Sequence, residues 1–145
     1  MNGGLYVKKG SGAIAAATTS LFTVTGLNVI EVLIGECTVV FDGTTTSIQL
    51  VHNPTIGSVA DLCGATVVTS DVVGTSYGYL GDDITSLLVS SGTSAPGTAY
   101  APTSNSKQVL MPGTIGMEGS AADAGQVLWH LRYTPLSAGA SIVAA

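Results

Sequence analysis

The sequence predicts an all-β protein, an antiparallel β-sandwich or small barrel with an extended N-terminal arm and at most one short helix. Three observations lead there. Runs rich in β-branched residues, Asn28 to Phe41 above all, fit a pleated, half-buried surface better than a helix. Glycine, proline, serine and aspartate interrupt these runs at short intervals, as turns between short strands require. Apolar residues at helical spacing are almost absent. A length of 145 residues suits one core, so the chain divides into an arm over 1–20 and a single β domain over 21–145.

Met1 to Ser20 is mostly Gly, Ala, Ser and Thr, with Tyr6 and the adjacent Lys8 and Lys9. So little apolar bulk does not offset the entropy of ordering, and the segment is expected to be loose when free and available for ordering by a neighbour. Leu21 to Thr25 is a strand closed by Gly26. Asn28 to Phe41 is a long strand in which Gly35 marks a bulge or bend. Asp42 and Gly43 are the strongest hairpin signal in the chain, and they predict a return strand over Thr44 to Val51 with Ile48 and Leu50 inward and Gln49 and Val51 outward. His52 to Thr55 ends that strand at Pro54.

Ile56 to Gly64 reads as a connector with room for one helical turn at Ser58 to Leu62. Ala65 to Thr69 and Thr75 to Leu80 are strands separated by a turn at Asp71 to Gly74, and Tyr77 and Tyr79 share a face of the second. Asp83 to Ser90 is the best helix candidate, capped by Asp82 or Asp83, with Ile84, Leu87 and Leu88 on one side; a further strand is the alternative. Ser91 to Ser106, with Tyr100 inside it, is the longest loop. Lys107 to Met111 leads through Pro112 and Gly113 to Thr114 to Glu118, and Gly119 to Gly125 is a loop of small residues. Val127, Trp129, Leu131 and Tyr133 then fall on the core side of a strand, with Leu128, His130 and Arg132 on its outer side. Pro135 ends it, Ser137 to Gly139 turns, and Ala140 to Ala144 is a last short strand.

Only 9% of residues are charged, against roughly 25% in an average soluble domain. A chain with four basic and nine acidic residues must expose small and weakly polar side chains or bury surface against partners, and its modest net charge of −5 does little to keep copies apart. Nucleic acid is disfavoured as a partner, because phosphates need clustered Lys and Arg. No apolar run approaches the roughly 20 residues of a membrane-spanning helix, and Met1 to Gly10 lacks the pattern of a secretion signal, so the expected compartment is the cytoplasm until assembly. Cys37 and Cys63 are therefore expected as buried thiols.

No catalytic set is expected. His52 and His130 are the only imidazoles, the serines are read as lacking the nucleophile-elbow pattern, and Cys63 with His130 is a dyad that any chain with two of each residue permits. Asp82 and Asp83 are adjacent and would diverge rather than meet one substrate. Neither a CxxC nor an HxxxH nor a calcium-loop spacing supports a metal, and no glycine pattern supports a phosphate or other cofactor.

The order of several segments resembles small virion proteins of tailed bacteriophages. These are Leu21 to Gly26, Leu50 to Thr55, Met111 to Ile115, and the close formed by Leu128 to Tyr133, Pro135, Leu136 and Ile142 to Ala145. The resemblance implies a capsid decoration, or cement, protein: a β-rich subunit, commonly a homotrimer, that binds the major capsid protein on the capsid exterior and stabilises the shell after assembly in the host cytoplasm. N-terminal arms in that family often reach neighbouring subunits, which makes Tyr6, Lys8 and Lys9 the expected partner-binding residues. The alternative is a phage tail or baseplate component binding a host-surface carbohydrate through Ser91 to Ser106.

Overall fold

The structure, a computed structural model, describes residues 4–81, 83–90 and 107–145. Met1 to Gly3, Asp82 as a cap, and the loop Ser91 to Ser106 with Tyr100 lie outside the described residues. Twelve strands are described: β1 (Leu5–Gly10), β2 (Thr18–Thr25), β3 (Asn28–Val39), β4 (Ser47–Pro54), β5 (Ala60–Asp61), β6 (Thr66–Val67), β7 (Ser76–Gly78), β8 (Leu88–Ser90), β9 (Gln108–Leu110), β10 (Gly113–Gly119), β11 (Gln126–Pro135) and β12 (Ser141–Ala144). One sheet runs β1-β11-β3-β7-β8, with β9 also on β3; the other runs β12-β2-β10-β4-β5, with β6 also on β4. All their pairings are antiparallel, and neither sheet closes on itself, so the fold is an all-β sandwich.

The core lies between the sheets because inward positions alternate along the central strands. Val127, Trp129, Leu131 and Tyr133 of β11 face Leu21, Phe22, Ile48, Leu50, Ile115 and Met117 of the second sheet, all buried. In β2 two neighbours, Leu21 and Phe22, both point inward. Ile115 pairs with Phe22 and Gly116 with Ser20, so Leu21 is an extra, bulged residue that resets the alternation.

Bulges in β3 fall at different places from the one expected. Trp129 pairs directly with Gly35 without a register break, whereas Thr38 and Glu31 are the residues left over between paired positions. Gly35 is there for space. A Cβ on it would lie 2.7 Å from Val127 Cγ1 and 2.9 Å from Trp129 Cζ3, so the glycine admits the indole over the strand. The bulge at Glu31 places both Glu31 and Val32 toward the outside.

Several expectations are corrected. Asp42 and Gly43 do not join paired strands, since β3 belongs to the first sheet and β4 to the second. Phe41, 2% exposed, is drawn into the core, and the Asp123 carboxylate accepts the Asp42 N–H at 3.2 Å, so the chain crosses between layers instead of folding back. Pro112 and Gly113 likewise carry the chain from one sheet to the other. Val51 faces outward as expected, opposite Gly116 of β10 and away from Leu50 and Met117, but it is buried there at 2% exposed. Asp83 to Ser90 contains no helix; its end forms β8 on the first sheet, and Ser58 to Leu62 makes β5 in place of a helical turn.

The arm is corrected too. Leu5 to Gly10 is paired along its whole length with β11 of the same chain, and Ile14 is buried and exchanges backbone hydrogen bonds with Asp123. Backbone pairing and two anchors, Val7 and Ile14, replace the apolar bulk that the segment lacks.

Candidate functional site

Nucleophiles and bases were placed first by the packing. Cys37 and Cys63 are free, buried thiols, and burial pushes both up to about 11. Cys63 Sγ accepts the Leu50 N–H at 3.3 Å, and Cys37 Sγ–H donates to the Val39 carbonyl at 3.1 Å. Both therefore stay protonated at neutral pH, with no activating base. Cys63 packs against the second sheet while His130 sits on the outer side of the first, so the sandwich does not bring that pair together. His52 is 8% exposed and its Nε2–H donates to the Met111 carbonyl at 3.0 Å; burial lowers its pKa and keeps it neutral.

Gly74, Thr75, Ser76, Tyr77 and Gly78 do carry nucleophile-elbow spacing, which corrects the reading that no serine has it. An elbow requires a strand turning sharply into a helix. Ser76 instead lies in β7, paired with Glu36 on one side and Ser90 on the other.

An exposed network of aromatic and charged side chains lies on the outer face of the first sheet. In β1, Tyr6 and Lys8 point outward; across the register stand Arg132 and His130 of β11, and beyond them Glu36 of β3. The Tyr6 ring stacks on His130 with centroids 6.0 Å apart and planes 19° from parallel. His130 Nε2 lies 2.8 Å from Glu36 Oε1, and its Nδ1 lies 2.6 Å from the Tyr6 hydroxyl. A carboxylate only accepts, so Nε2–H donates to Glu36, and Nδ1 meets the Tyr6 hydroxyl, which can donate or accept. Both ring nitrogens are thus occupied, and neither is left to deprotonate Ser76.

This network fixes an aromatic ring that is still 60% exposed. A tyrosine held by stacking and a hydrogen bond has already lost its rotamer freedom, so burying it against a partner costs less ordering entropy. Lys8 and Arg132 flank it, and neither has an acidic partner within bonding distance among the described residues. Lys9 points to the other side of β1, where its Nζ donates to the Ala145 carbonyl at 2.7 Å and ties the first sheet's edge to the second. Of the three residues expected to bind a partner, Tyr6 and Lys8 therefore share a surface and Lys9 serves as a clasp.

Farther along the same face, the bulged Glu31 accepts from Lys107 Nζ at 2.5 Å and Thr134 Oγ1 at 2.9 Å. The Lys107 ammonium first, then the Thr134 hydroxyl, holds its carboxyl below the usual range. Beside Lys107 opens a groove of about 550 Å³, lined by Asp61, Asp83, Gln108 and Val109 among others. Asp61 belongs to β5 of the second sheet and Asp83 to the link from β7 to β8, and no local pattern in the sequence joins them. Glu36 was equally invisible there; only its outward parity on a strand beside β11 hinted at the meeting with His130. Among the described residues no three His, Cys, Asp or Glu side chains converge as metal ligands.

Compared with known proteins, the chain matches no family model, no curated protein and no solved structure.

Proposed function

We propose that this chain is a non-enzymatic structural virion protein that binds the outer surface of a tailed-phage capsid through the major capsid protein and stabilises the shell as a homotrimeric decoration protein. The observation that carries the reading is the Tyr6 surface: a pre-ordered, exposed tyrosine on the edge strand of a charge-poor sandwich, flanked by Lys8 of the same strand and Arg132 of the neighbouring β11. Tyrosine and arginine are the side chains that most often anchor protein contacts. The resemblance of the ordered segments to phage virion proteins supplies the kind of partner. A surface built for a protein contact suits a subunit of an assembly, and repetition of such subunits over a symmetric shell makes a modest affinity at each shell position sufficient.

The test is to add purified protein to mature phage shells that lack a decoration protein. Co-sedimentation with the shells, together with greater resistance of the shells to heat or chelators, is the expected result. Failure to bind at any concentration, with the protein folded, overturns the proposal.

A further inference from the structure

The basic and acidic groups without partners lie on different parts of this molecule. Of its four cations, Lys107 is engaged by Glu31 and Lys9 by the Ala145 carbonyl, which leaves Lys8 and Arg132 beside Tyr6. On the acidic side, Asp42 holds the Thr44 N–H, Asp71 the Tyr77 hydroxyl, Asp123 three donors, and Glu36 His130, while Glu118 stands exposed on β10 of the second sheet, outside the groove. Asp61 and Asp83 are exposed, and among the described residues neither meets a cation. Both open on the groove beside β9, and its third charge, Lys107, is already neutralised.

We infer that copies of this chain associate head to tail, with the Tyr6, Lys8 and Arg132 surface of one seated in the Asp61 and Asp83 groove of the next. Each half supplies what the other lacks. The ammonium and guanidinium meet two carboxylates, and the groove's volume accommodates the pre-ordered Tyr6 ring, whose outer face has no cover in the monomer. The two surfaces differ, so the contact is heterologous, the type from which a closed ring of three is built. This deepens the decoration reading by assigning the Tyr6 surface to the contact between copies rather than to the contact with the shell, and rests on that reading for the ring; the pairwise contact is measured without any shell.

Association is read by sedimentation velocity over a concentration series, at about 0.05 M and about 1 M salt, where exposed charges are screened to very different degrees. The unmodified chain is expected to self-associate and to lose at least about tenfold in affinity at the higher salt. Two charge-reversed proteins, K8E with R132E and D61K with D83K, are each expected to be monomeric. Mixed, they should associate again, because the intact surface of one meets the intact groove of the other. All four positions are solvent-facing; Lys8→Gln with Arg132→Gln and Asp61→Asn with Asp83→Asn serve as milder pairs should a reversal disturb folding, each read as the same loss. A monomeric unmodified chain, or self-association indifferent to all these substitutions, overturns the inference. If that chain nevertheless coats phage shells, the decoration reading stands and only the head-to-tail contact falls.

Discussion

Replacing Gly35 with alanine places one methyl group where the packing has no room for it. The new Cβ would sit 2.7 Å from Val127 Cγ1 and 2.9 Å from Trp129 Cζ3, and both residues are fully buried on the strand that pairs with β3. Overpacking of this kind costs about 1–3 kcal/mol. Alanine also restricts the unfolded chain and recovers roughly 0.4–1 kcal/mol, so the net loss is about 1–2 kcal/mol. With roughly 2.1 cal/mol/K of unfolding entropy per residue over 145 residues, that loss lowers Tm by about 3–7 °C. With an m-value of about 2 kcal/mol/M, the urea midpoint falls by about 0.5–1 M. Trp129 is the only tryptophan, so its fluorescence reports on the site itself during the titration. Val127→Ala removes the nearest clashing methyl at its own cost, and the double variant should lose about 1 kcal/mol less than the sum of the two singles. An unchanged or raised midpoint for Gly35→Ala would refute the claim that this glycine exists to admit the indole.

Asp123→Ala should cost about 2 kcal/mol by chemical denaturation, since the buried carboxylate is the acceptor for the Asp42 and Gly125 N–H groups, which would be left without it, whereas the Thr46 hydroxyl keeps the Thr44 carbonyl. His52 makes stability depend on pH: burial sets its folded pKa below 6.5, so its contribution is complete above pH 6.5 and is lost as pH falls from there through the folded value, the interval in which the unfolded chain is protonated ahead of the folded one. Denaturation midpoints should therefore fall below pH 6.5 in the parent and fall less in His52→Gln; equal slopes would remove the explanation. Glu31 acts in a lower window, with stability present above 4.5 and lost as pH falls through its depressed value, and Lys107→Met should shrink that acid-side loss. Cys37 and Cys63, both raised to about 11, should resist alkylation near neutral pH until denaturant is added; rapid labelling of the native protein would contradict their burial.

The strand positions that proved legible are those where one face is apolar and the other is not. Val127, Trp129, Leu131 and Tyr133 alternate with Leu128, His130 and Arg132, and β11 has the predicted facing throughout. Where alternation was reset by an extra residue, at Leu21 and Glu31, the pattern was harder to read, because a bulge has no obligatory residue type. Asp83 to Ser90 illustrates the opposite error: three apolar residues at helical spacing looked like a face, yet only Leu87 is buried, Ile84 and Leu88 are exposed, and Leu88 to Ser90 pair with β7 as an edge strand. Of the candidate surface, Tyr6 and Lys8 were legible as residues, but their meeting with His130, Glu36 and Arg132 was not.

By itself the chain's chemistry determined the class of fold, the inward and outward sides of its best strands, the buried thiols and the scarcity of charge, since these depend on side-chain shape and polarity read locally. Which strand lies beside which was decided only in three dimensions. Backbone N–H and C=O groups are the same in every strand, so pairing follows from how Phe41, Trp129 and Ile14 fill a shared core and from what Asp123 can reach, and that packing also brings Tyr6 onto His130 and sends Asp42 and Gly43 across the layers instead of into a hairpin.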